Sequence, residues 1–367
     1  MSAEEHRFPC HQCGADLRFD PQAGALVCDH CGFQEEVEDN SPWDSPTREM
    51  DFNRAVAQAL DAADMEETRV LICPNCAAQV EFDPVTHARE CPFCATPVVT
   101  DTGTNRHIKP RALLSFTLTE RDARKAVTNW LGRLWFAPNG LQAFARNARP
   151  LQGVYVPFWT YDAQTRSRYH GEKGIDYYVT RTVTRNGKRT QVQERRTRWY
   201  PASGRVARFF DDVLVSASKS LPRADAENLG PWELAELQPY RPDFLAGFRA
   251  EAYAVPLEDG FDHARDHMDR VIRRDVRFDI GGDRQRIHSI DTEVSEVTFK
   301  HILLPVWLAA YRYRDRSYRV LVNGRSGKVS GERPWSVWKI TLAVLAGLVV
   351  AGAVGYVIAI SETGQTF

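Results

Sequence analysis

Eight cysteines in four CxxC pairs are the feature that most constrains how this chain folds. The pairs are Cys10/Cys13, Cys28/Cys31, Cys73/Cys76 and Cys91/Cys94, and they account for every cysteine in the sequence. Each CxxC can turn two thiolates to one side, and two such turns complete a tetrahedron around Zn²⁺. Matched CxxC units in a reducing compartment indicate metal rather than disulfides. The pattern therefore predicts two four-cysteine zinc sites, with two zinc ions per chain.

The two cysteine sets form an internal repeat. Fourteen residues separate the pairs in each set, and a shift of 63 positions places Phe19-Asp20-Pro21 on Phe82-Asp83-Pro84. We interpret residues 1–35 and 69–100 as two copies of one zinc ribbon. Four protein ligands leave no open position, so both sites are expected to be structural. Iron in a rubredoxin-like site uses similar turns and stays an alternative to zinc.

Three histidines also lie near the predicted zinc sites, at positions 11, 30 and 87. We expect His11, His30 and His87 to lie outside the ligand sets, because the cysteines already fill them.

A long apolar segment near the C-terminus predicts a transmembrane helix over residues 338–360, followed by a short tail at 361–367. Residues 340–360 carry no charged side chain, and 21 residues of helix span about 30 Å, the thickness of a bilayer core. Trp335 and Trp338 precede the segment, as residues of an interfacial belt do. Gly347, Ala351 and Gly355 recur every four residues, which favours a helix-pairing face and predicts a homo-oligomer through this helix.

The same segment predicts an orientation. Arg333 and Lys339 flank its N-terminal side, and the positive-inside rule retains that side in the cytoplasm. The first 15 residues are polar, so we expect no secretory signal there. Both observations agree with reduced cysteines. They predict a single-pass protein of the cell (inner) membrane with its N-terminus in the cytoplasm.

Between these ends the sequence predicts an acidic linker and a mixed body, so the expected fold class is multidomain α+β. Residues 32–67 hold eleven Asp/Glu and two Arg, and we assign the linker to 36–68, with a short helix through Phe52, Val56 and Leu60. The body, 105–335, is expected to contain antiparallel sheets. Its predicted helices start after Thr119 and at about Leu257, the second giving way to a strand around Val276–Ile280.

Two features of the body carry further expectations. VPFWTY at 156–161 and LPVWLAAY at 304–311 predict a second duplication, of a helix with an antiparallel sheet. Residues 177–200 predict a basic β-hairpin turning at Asn186-Gly187. Residues 165–208 hold twelve Lys/Arg and three Asp/Glu, among tyrosines and a tryptophan. Such a hairpin could bind a protein partner, the acidic linker, anionic lipid or nucleic acid, or could be solvated. We rank nucleic acid below docking and lipid.

No catalytic constellation is evident, and we expect no enzyme activity. The sequence contains no GxSxG, HExxH or GxGxxG motif. Gly324 to Lys328 lacks the spacing of a phosphate loop, and Asn323-Gly324 is more simply a hairpin turn. His263 and His267 lie four apart on the second helix but have only Asp266 as a further ligand.

The chain resembles a bacterial family of TFIIB-type zinc-ribbon membrane proteins, often labelled primosomal replication protein N′-like. The resemblance covers nearly the whole chain. The resemblance rests on the segments CHQC…CDHC, CPNC…CPFC, LQGVYVPFWTYDA, FLAGFRAEAY, FKHILLPVWLAAYRY and VNGRSGKVSGERPWS. It implies zinc-ligand roles for the eight cysteines. It also implies partners among SPFH-domain or phage-shock-type membrane scaffolds. The helicase function in the label has no counterpart here, because a Walker A loop is missing.

Two functional hypotheses follow. The first is a membrane-anchored adaptor or scaffold that acts through protein–protein contacts on the cytoplasmic face. The second is a membrane-tethered, replication-associated nucleic-acid-binding protein.

Overall fold

The computed structural model describes residues 8–37, 49–73, 79–81, 88–91, 93, 97–99, 103–138, 151–185, 188–313 and 316–363. Within them the chain is a mixed α+β structure whose strands are mainly antiparallel. The helices are α1 (Phe52–Val56), α2 (Glu120–Gly132), α3 (Arg223–Asn228), α4 (Leu257–Ile280) and α5 (Val337–Thr363).

The strands fall into small N-terminal sheets and one large sheet. The N-terminal strands are β1 (Arg18–Asp20), β2 (Ala25–Val27), β3 (Gln34–Glu36), β4 (Met50–Asp51), β5 (Met65–Ile72), β6 (Gln79–Glu81), β7 (Ala88–Glu90), β8 (Pro97–Val99) and β9 (Gly103–Ile108). The remaining strands are β10 (Ala112–Leu113), β11 (Gln152–Arg185), β12 (Lys188–Ser216), β13 (Gln238–Pro239), β14 (Arg249–Ala250), β15 (Arg284–Tyr313), β16 (Arg316–Asn323) and β17 (Val329–Gly331).

Three long antiparallel strands dominate the large sheet. β11, β12 and β15 have 34, 29 and 30 residues. β15 accompanies β11 only as far as the pair Gly174↔Arg284, after which β11 and β12 continue alone to Arg185↔Lys188. We call this two-stranded part, residues 175–185 and 188–198, the tip ribbon. Eleven residues at about 3.3 Å each extend it roughly 35 Å beyond the sheet. The turn at Asn186-Gly187 lies outside the described residues.

The body consists of two β-α-β-β units that share the large sheet. The first unit is β10, α2, β11 and β12, and the second is β14, α4, β15 and β16. The first strand of each unit pairs in parallel with the long strand of the other unit, β10 with β15 and β14 with β11. The two long strands pair antiparallel around Val156↔Leu304, the first residues of the two repeated motifs.

Equivalent tryptophans of the two units are held in the same way. The indole N–H of Trp159 donates to the Val255 carbonyl, and that of Trp307 donates to the Leu118 carbonyl, both at 3.0 Å. A buried N–H without an acceptor would cost about 1–3 kcal/mol, and each tryptophan avoids that cost through the residue two before the helix of the other unit. The predicted second duplication is confirmed.

Helix α4 packs on the large sheet through a stripe with a spacing of four residues. Its buried members, at every fourth position, are Gly260, Ala264, Met268, Ile272, Val276 and Ile280. The strand predicted at 276–280 is therefore wrong. Alternating apolar residues at 276, 278 and 280 imitate a strand, but the four-residue spacing continues through them and Phe278 is 90% exposed.

The predicted N-cap of α2 is confirmed, because the Thr119 hydroxyl accepts from the Asp122 backbone N–H. The helix predicted in the linker is shorter than expected. It ends at Val56, and Gln58 has φ of 55°, so Leu60 lies beyond it. The linker itself is not free of the body, since β4 pairs with β15.

Helix α5 is long and apolar enough to span a membrane. Its segment Val337–Tyr356 has a mean hydropathy of 2.1, and none of it is buried against the described part of the chain. Its start is attached to the segment after α2, because Ser336 N–H donates to the Phe136 carbonyl and Lys339 Nζ to that of Ala137. The N-terminal end of β15 pairs with β11 at the base of the tip ribbon, and the C-terminal end of β15 pairs with β16. The tip ribbon and the β16–β17 end, from which α5 follows, therefore lie at opposite ends of β15.

Candidate metal centre

Two matching turns carry the first four cysteines. In one, Gly14 N–H donates to the Cys10 carbonyl and Cys10 N–H to that of Ala15. In the other, Gly32 N–H donates to the Cys28 carbonyl and Cys28 N–H to that of Phe33. Gly14 and Gly32 have φ of 73° and 75°, a backbone region that favours glycine. The three-stranded sheet β1–β2–β3 positions the turns so that they face each other.

The four sulfur atoms form a compact cluster. The Sγ atoms of Cys10, Cys13, Cys28 and Cys31 all lie within 4.8 Å of one another. Cys10 lies 3.5 Å from Cys31, and Cys13 lies 3.5 Å from Cys28. A tetrahedral zinc site with Zn–S bonds of about 2.3 Å places its sulfurs roughly 3.8 Å apart. The residues therefore fit a structural Zn²⁺ ion, and the predicted first zinc ribbon is present.

The electrostatics of the cluster favour a bound cation. The backbone N–H of Cys31 lowers the pKa of the Cys28 thiol to about 6, so one thiolate forms readily. The Phe33 backbone N–H acts in the same direction on Cys31, but desolvation and the neighbouring thiols outweigh it and raise that pKa to about 12. Further ionisation is thus opposed until a cation compensates the charge, which a zinc ion does.

The ribbon is packed on the body. Its residues Leu17, Phe19 and Leu26 belong to the same apolar cluster as Leu131 and Trp307. Phe19 lies edge-on to Phe244 with ring centroids 5.2 Å apart, and its N–H donates to the Ala246 carbonyl at 3.0 Å. Cys10 and Cys28 are buried, whereas Cys13 and Cys31 are exposed. The metal centre therefore stabilises a zinc ribbon that is packed against the body on the side of Cys10 and Cys28 and exposed on the side of Cys13 and Cys31.

The histidines near this site are not among its ligands. His11 is exposed, and its Nε2 lies 3.7 Å from Glu35, while His30 is exposed as well. His87 lies outside the described residues.

The second cysteine set is described only in part. Cys73 and Cys91 are buried in one apolar cluster with Phe93. Cys76 and Cys94 lie outside the described residues, as does Phe82-Asp83-Pro84. The second zinc site consequently stays a prediction.

Two buried polar groups of the body escaped the sequence analysis. Lys300 is 4% exposed, and its Nζ lies 3.1 Å from Glu49 and 2.8 Å from Asp212. Desolvation and a hydrogen bond with Glu49 raise the pKa of the adjoining Asp162 to about 7. This network attaches the predicted linker to β15. This network was not predictable from the sequence, because a single lysine in a strand does not indicate which carboxylates it will contact.

The second group is Glu251, whose Oε1 accepts hydrogen bonds from the hydroxyls of Ser218 and Ser220. It lines a small cavity together with His301, whose Nδ1 donates to the Ile108 carbonyl at 2.8 Å. Burial lowers the pKa of His301 to about 3 and raises that of Glu251 to about 8, so both are neutral at pH 7.

Comparison with known proteins agrees with the geometry of the first site. Residues 4–36 match the family model described as the zinc-finger of RNA-polymerase I-specific TFIIB, Rrn7. A zinc ribbon is therefore present in the N-terminal segment, and it is similar to the zinc finger of TFIIB-type proteins. Over nearly its whole length the chain is similar to "Uncharacterized protein YdjG" of Bacillus subtilis (strain 168). The two are 24% identical over 341 residues, which cover 91% of each chain. No solved structure matches.

Proposed function

We propose that this protein is a membrane-anchored adaptor that binds other proteins through a rigid, zinc-stabilised body on the cytoplasmic face. The observation that carries the proposal is the combination of a docked zinc ribbon with an apolar terminal helix that contacts almost nothing else in the described part of the chain. A closed metal site supplies folding energy rather than chemistry. An unburied apolar helix of this length is stable only in lipid or against a partner.

The orientation is part of the proposal. Thiolate ligands need a reducing compartment, which favours a cytoplasmic body. Arg333 and Lys339 lie on the same side of α5 as the body, in the position that the positive-inside rule gives to cytoplasmic residues. Pairing of α5 through Gly347, Ala351 and Gly355 would make the adaptor an oligomer.

The proposal includes a second zinc ion, held by Cys73, Cys76, Cys91 and Cys94, and a mode of action without catalysis. The cavity beside Thr117, Trp232 and Arg325 has a volume of about 80 Å³, whereas small-molecule sites usually need at least about 300 Å³. Binding through surfaces fits this body better than turnover in a cleft.

A membrane-tethered nucleic-acid-binding protein is the second candidate, favoured by the TFIIB-type ribbon and the basic hairpin. Several of the hairpin's arginines already have partners. Arg195 lies 3.5 Å from Asp176, Arg196 lies 3.4 Å from Glu194, and the Arg198 guanidinium lies over the Tyr177 ring. The carboxylates of Asp176 and Glu194 offset part of the positive charge that the sequence offers to phosphates, which places this candidate second.

Isolation of the native complex tests the proposal. Full-length protein is purified from cross-linked native membranes, and co-purifying proteins are identified by mass spectrometry. SPFH-domain and phage-shock-type scaffolds, the partners that the family resemblance implies, are the first to look for. A stoichiometric protein partner is expected. Tight, salt-sensitive binding of DNA that Arg195→Ala, Arg196→Ala and Arg198→Ala together abolish would instead establish the second candidate.

A further inference from the structure

The tip ribbon has two chemically different faces. Directly paired residues of an antiparallel ladder share a face, and successive residues alternate. One face carries Tyr178, Thr180 and Thr182 opposite Arg195, Gln193 and Gln191. The other carries an apolar row, which we call the ribbon stripe: Ile175, Tyr177, Val179, Val183 and Val192.

The ribbon stripe is exposed. Ile175 and Tyr177 are 38% and 39% accessible, and Val183 and Val192 are 41% and 48% accessible. Beyond Gly174 no third strand of the described chain accompanies the hairpin. Four apolar side chains exposed along one face of a projecting ribbon form a patch of the kind that marks an interaction site.

The same face already holds a helix closer to the body. Tyr161 and Tyr169 contact α4 there, since the Tyr161 hydroxyl donates to the Leu257 carbonyl and the Tyr169 hydroxyl to Asp279. A Cβ atom on Gly171 would lie 3.2 Å from Ile280 Cδ1. From Gly171 onward the β11–β12 register has no shift, so Ile175 and Tyr177 continue the surface on which α4 lies. Helix α4 ends at Ile280. The ribbon stripe therefore begins just beyond the part of this face that α4 covers.

The contacts of α4 indicate what kind of helix this surface accepts. Its apolar stripe is buried on the sheet, and its acidic side chains meet basic or hydroxyl groups beside the stripe. Arg208 makes two hydrogen bonds to the Asp275 carboxylate, at 2.6 and 3.0 Å. The ribbon stripe has similar flanks. Glu194, its one acidic residue among the described positions, offsets Arg196, but Arg181 and Arg198 lie on the same face, and the contact of Arg198 with the Tyr177 ring leaves its charge in place.

We infer that the ribbon stripe is a docking site for an acidic amphipathic helix of a partner protein, placed in line with α4. From 175 to 183 the stripe is about 27 Å long, which corresponds to roughly 18 helical residues. This inference rests on the proposed adaptor function and names the class of segment that the adaptor binds.

Peptide binding to zinc-loaded, full-length protein in nanodiscs tests the inference. The probe is a fluorescent 18-residue designed helix with Leu at every third or fourth position and Glu elsewhere, and its control carries Lys in place of Glu. Fluorescence anisotropy should show the Glu peptide binding at least about tenfold more tightly. Equal binding of both peptides would overturn the inference.

Two matched double variants locate the site. Tyr177→Asp with Val192→Asp alters the ribbon stripe, and both new carboxylates face arginines, Arg196 and Arg181, so the ladder is retained. Tyr178→Asp with Gln193→Asp makes the same change on the opposite face. The first should weaken binding of the Glu peptide at least about tenfold, and the second less than about twofold. Equal losses would refute the assignment.

Cross-linked native membranes separate failure of this inference from failure of the adaptor function. If wild-type protein carries no partner, the adaptor function fails. If the wild type and the Tyr177→Asp, Val192→Asp variant carry the same partner equally, the adaptor stands and the ribbon stripe is not its docking site. A photo-cross-linker at position 183 that captures lipid or a second copy of this chain would also overturn the inference.

Discussion

Replacing Glu251 by Gln should make the stability of the body less dependent on pH. Glu251 is 1% exposed, and burial raises its pKa to about 8. Its Oε1 accepts from two serine hydroxyls, while its Oε2 has no hydrogen-bond partner among the described residues. A proton on Oε2 keeps the group neutral. Gln has nearly the same shape and is neutral at every pH.

The sign and size of the effect follow from linkage. Glu251 binds its proton more tightly in the folded state than in the unfolded state. Below the unfolded pKa both states are protonated and the free energy of unfolding is at its highest. As pH rises from the unfolded pKa towards the folded pKa, this stability is progressively lost. Above the ordinary glutamate pKa of 4.5, the penalty for Glu251 grows by about 1.4 kcal/mol per pH unit. It should reach about 2 kcal/mol at pH 6 and approach 5 kcal/mol above pH 8. Glu251→Gln has no such penalty.

Urea unfolding of residues 1–335 measures this difference, followed by tryptophan fluorescence at pH 6, 7, 8 and 9. The difference between Glu251→Gln and wild type should shift in favour of Gln by roughly 3 kcal/mol between pH 6 and 9. Both proteins contain the same other titrating groups, including Asp162, so the contributions of those groups to the pH dependence cancel in the difference. Glu293→Gln, which makes the same change at an exposed residue of β15, is the control and should not reproduce this shift. A difference that stays constant with pH would refute a neutral buried Glu251.

Three further predictions concern the metal, the core and the anchor. Purified protein should contain two zinc ions by mass spectrometry, and Cys28→Ser and Cys91→Ser should each remove one; a single zinc in wild type would eliminate the second site. Ile272→Ala, at a position 2% exposed, should cost about 2–5 kcal/mol of unfolding free energy in urea, whereas Phe278→Ala, at a 90% exposed position on the same helix, should cost under about 1 kcal/mol. Deleting residues 337–367 should release a soluble protein that retains its zinc, and its persistence in carbonate-washed membranes would indicate another anchor.

The zinc ribbon was predictable because ligand chemistry leaves few solutions. Two CxxC pairs fourteen residues apart specify a tetrahedral site whatever the surrounding chain does, and Cys10 and Cys28 lie where the spacing required. The docking of the ribbon was not predictable. It depends on Phe19 meeting Phe244, a contact between residues 225 positions apart that no local pattern encodes.

The helix α4 illustrates why local patterns stop short of the fold. Val276, Phe278 and Ile280 satisfy a strand's alternation, while the spacing of Ala264, Met268, Ile272 and Val276 satisfies a helix. Only the sheet surface beneath the helix resolves the ambiguity, because it buries the four-residue series and leaves Phe278 in solvent. Periodicity ranks alternatives, and tertiary packing selects among them.

The internal two-fold arrangement connects the fold with the proposed function. Both units hold a tryptophan in the same way, yet their strands differ in length, since β12 has 29 residues and its counterpart β16 has 8. β11 and β12 extend past the end of β15, so one unit exposes a ribbon that has no counterpart in the other. The shared core needs the equivalent tryptophans and short strands but not this extension. The tip ribbon is amphipathic, is not required by the core, and lies at the end of the sheet away from the start of α5. We therefore expect a membrane-anchored adaptor to bind its partner there.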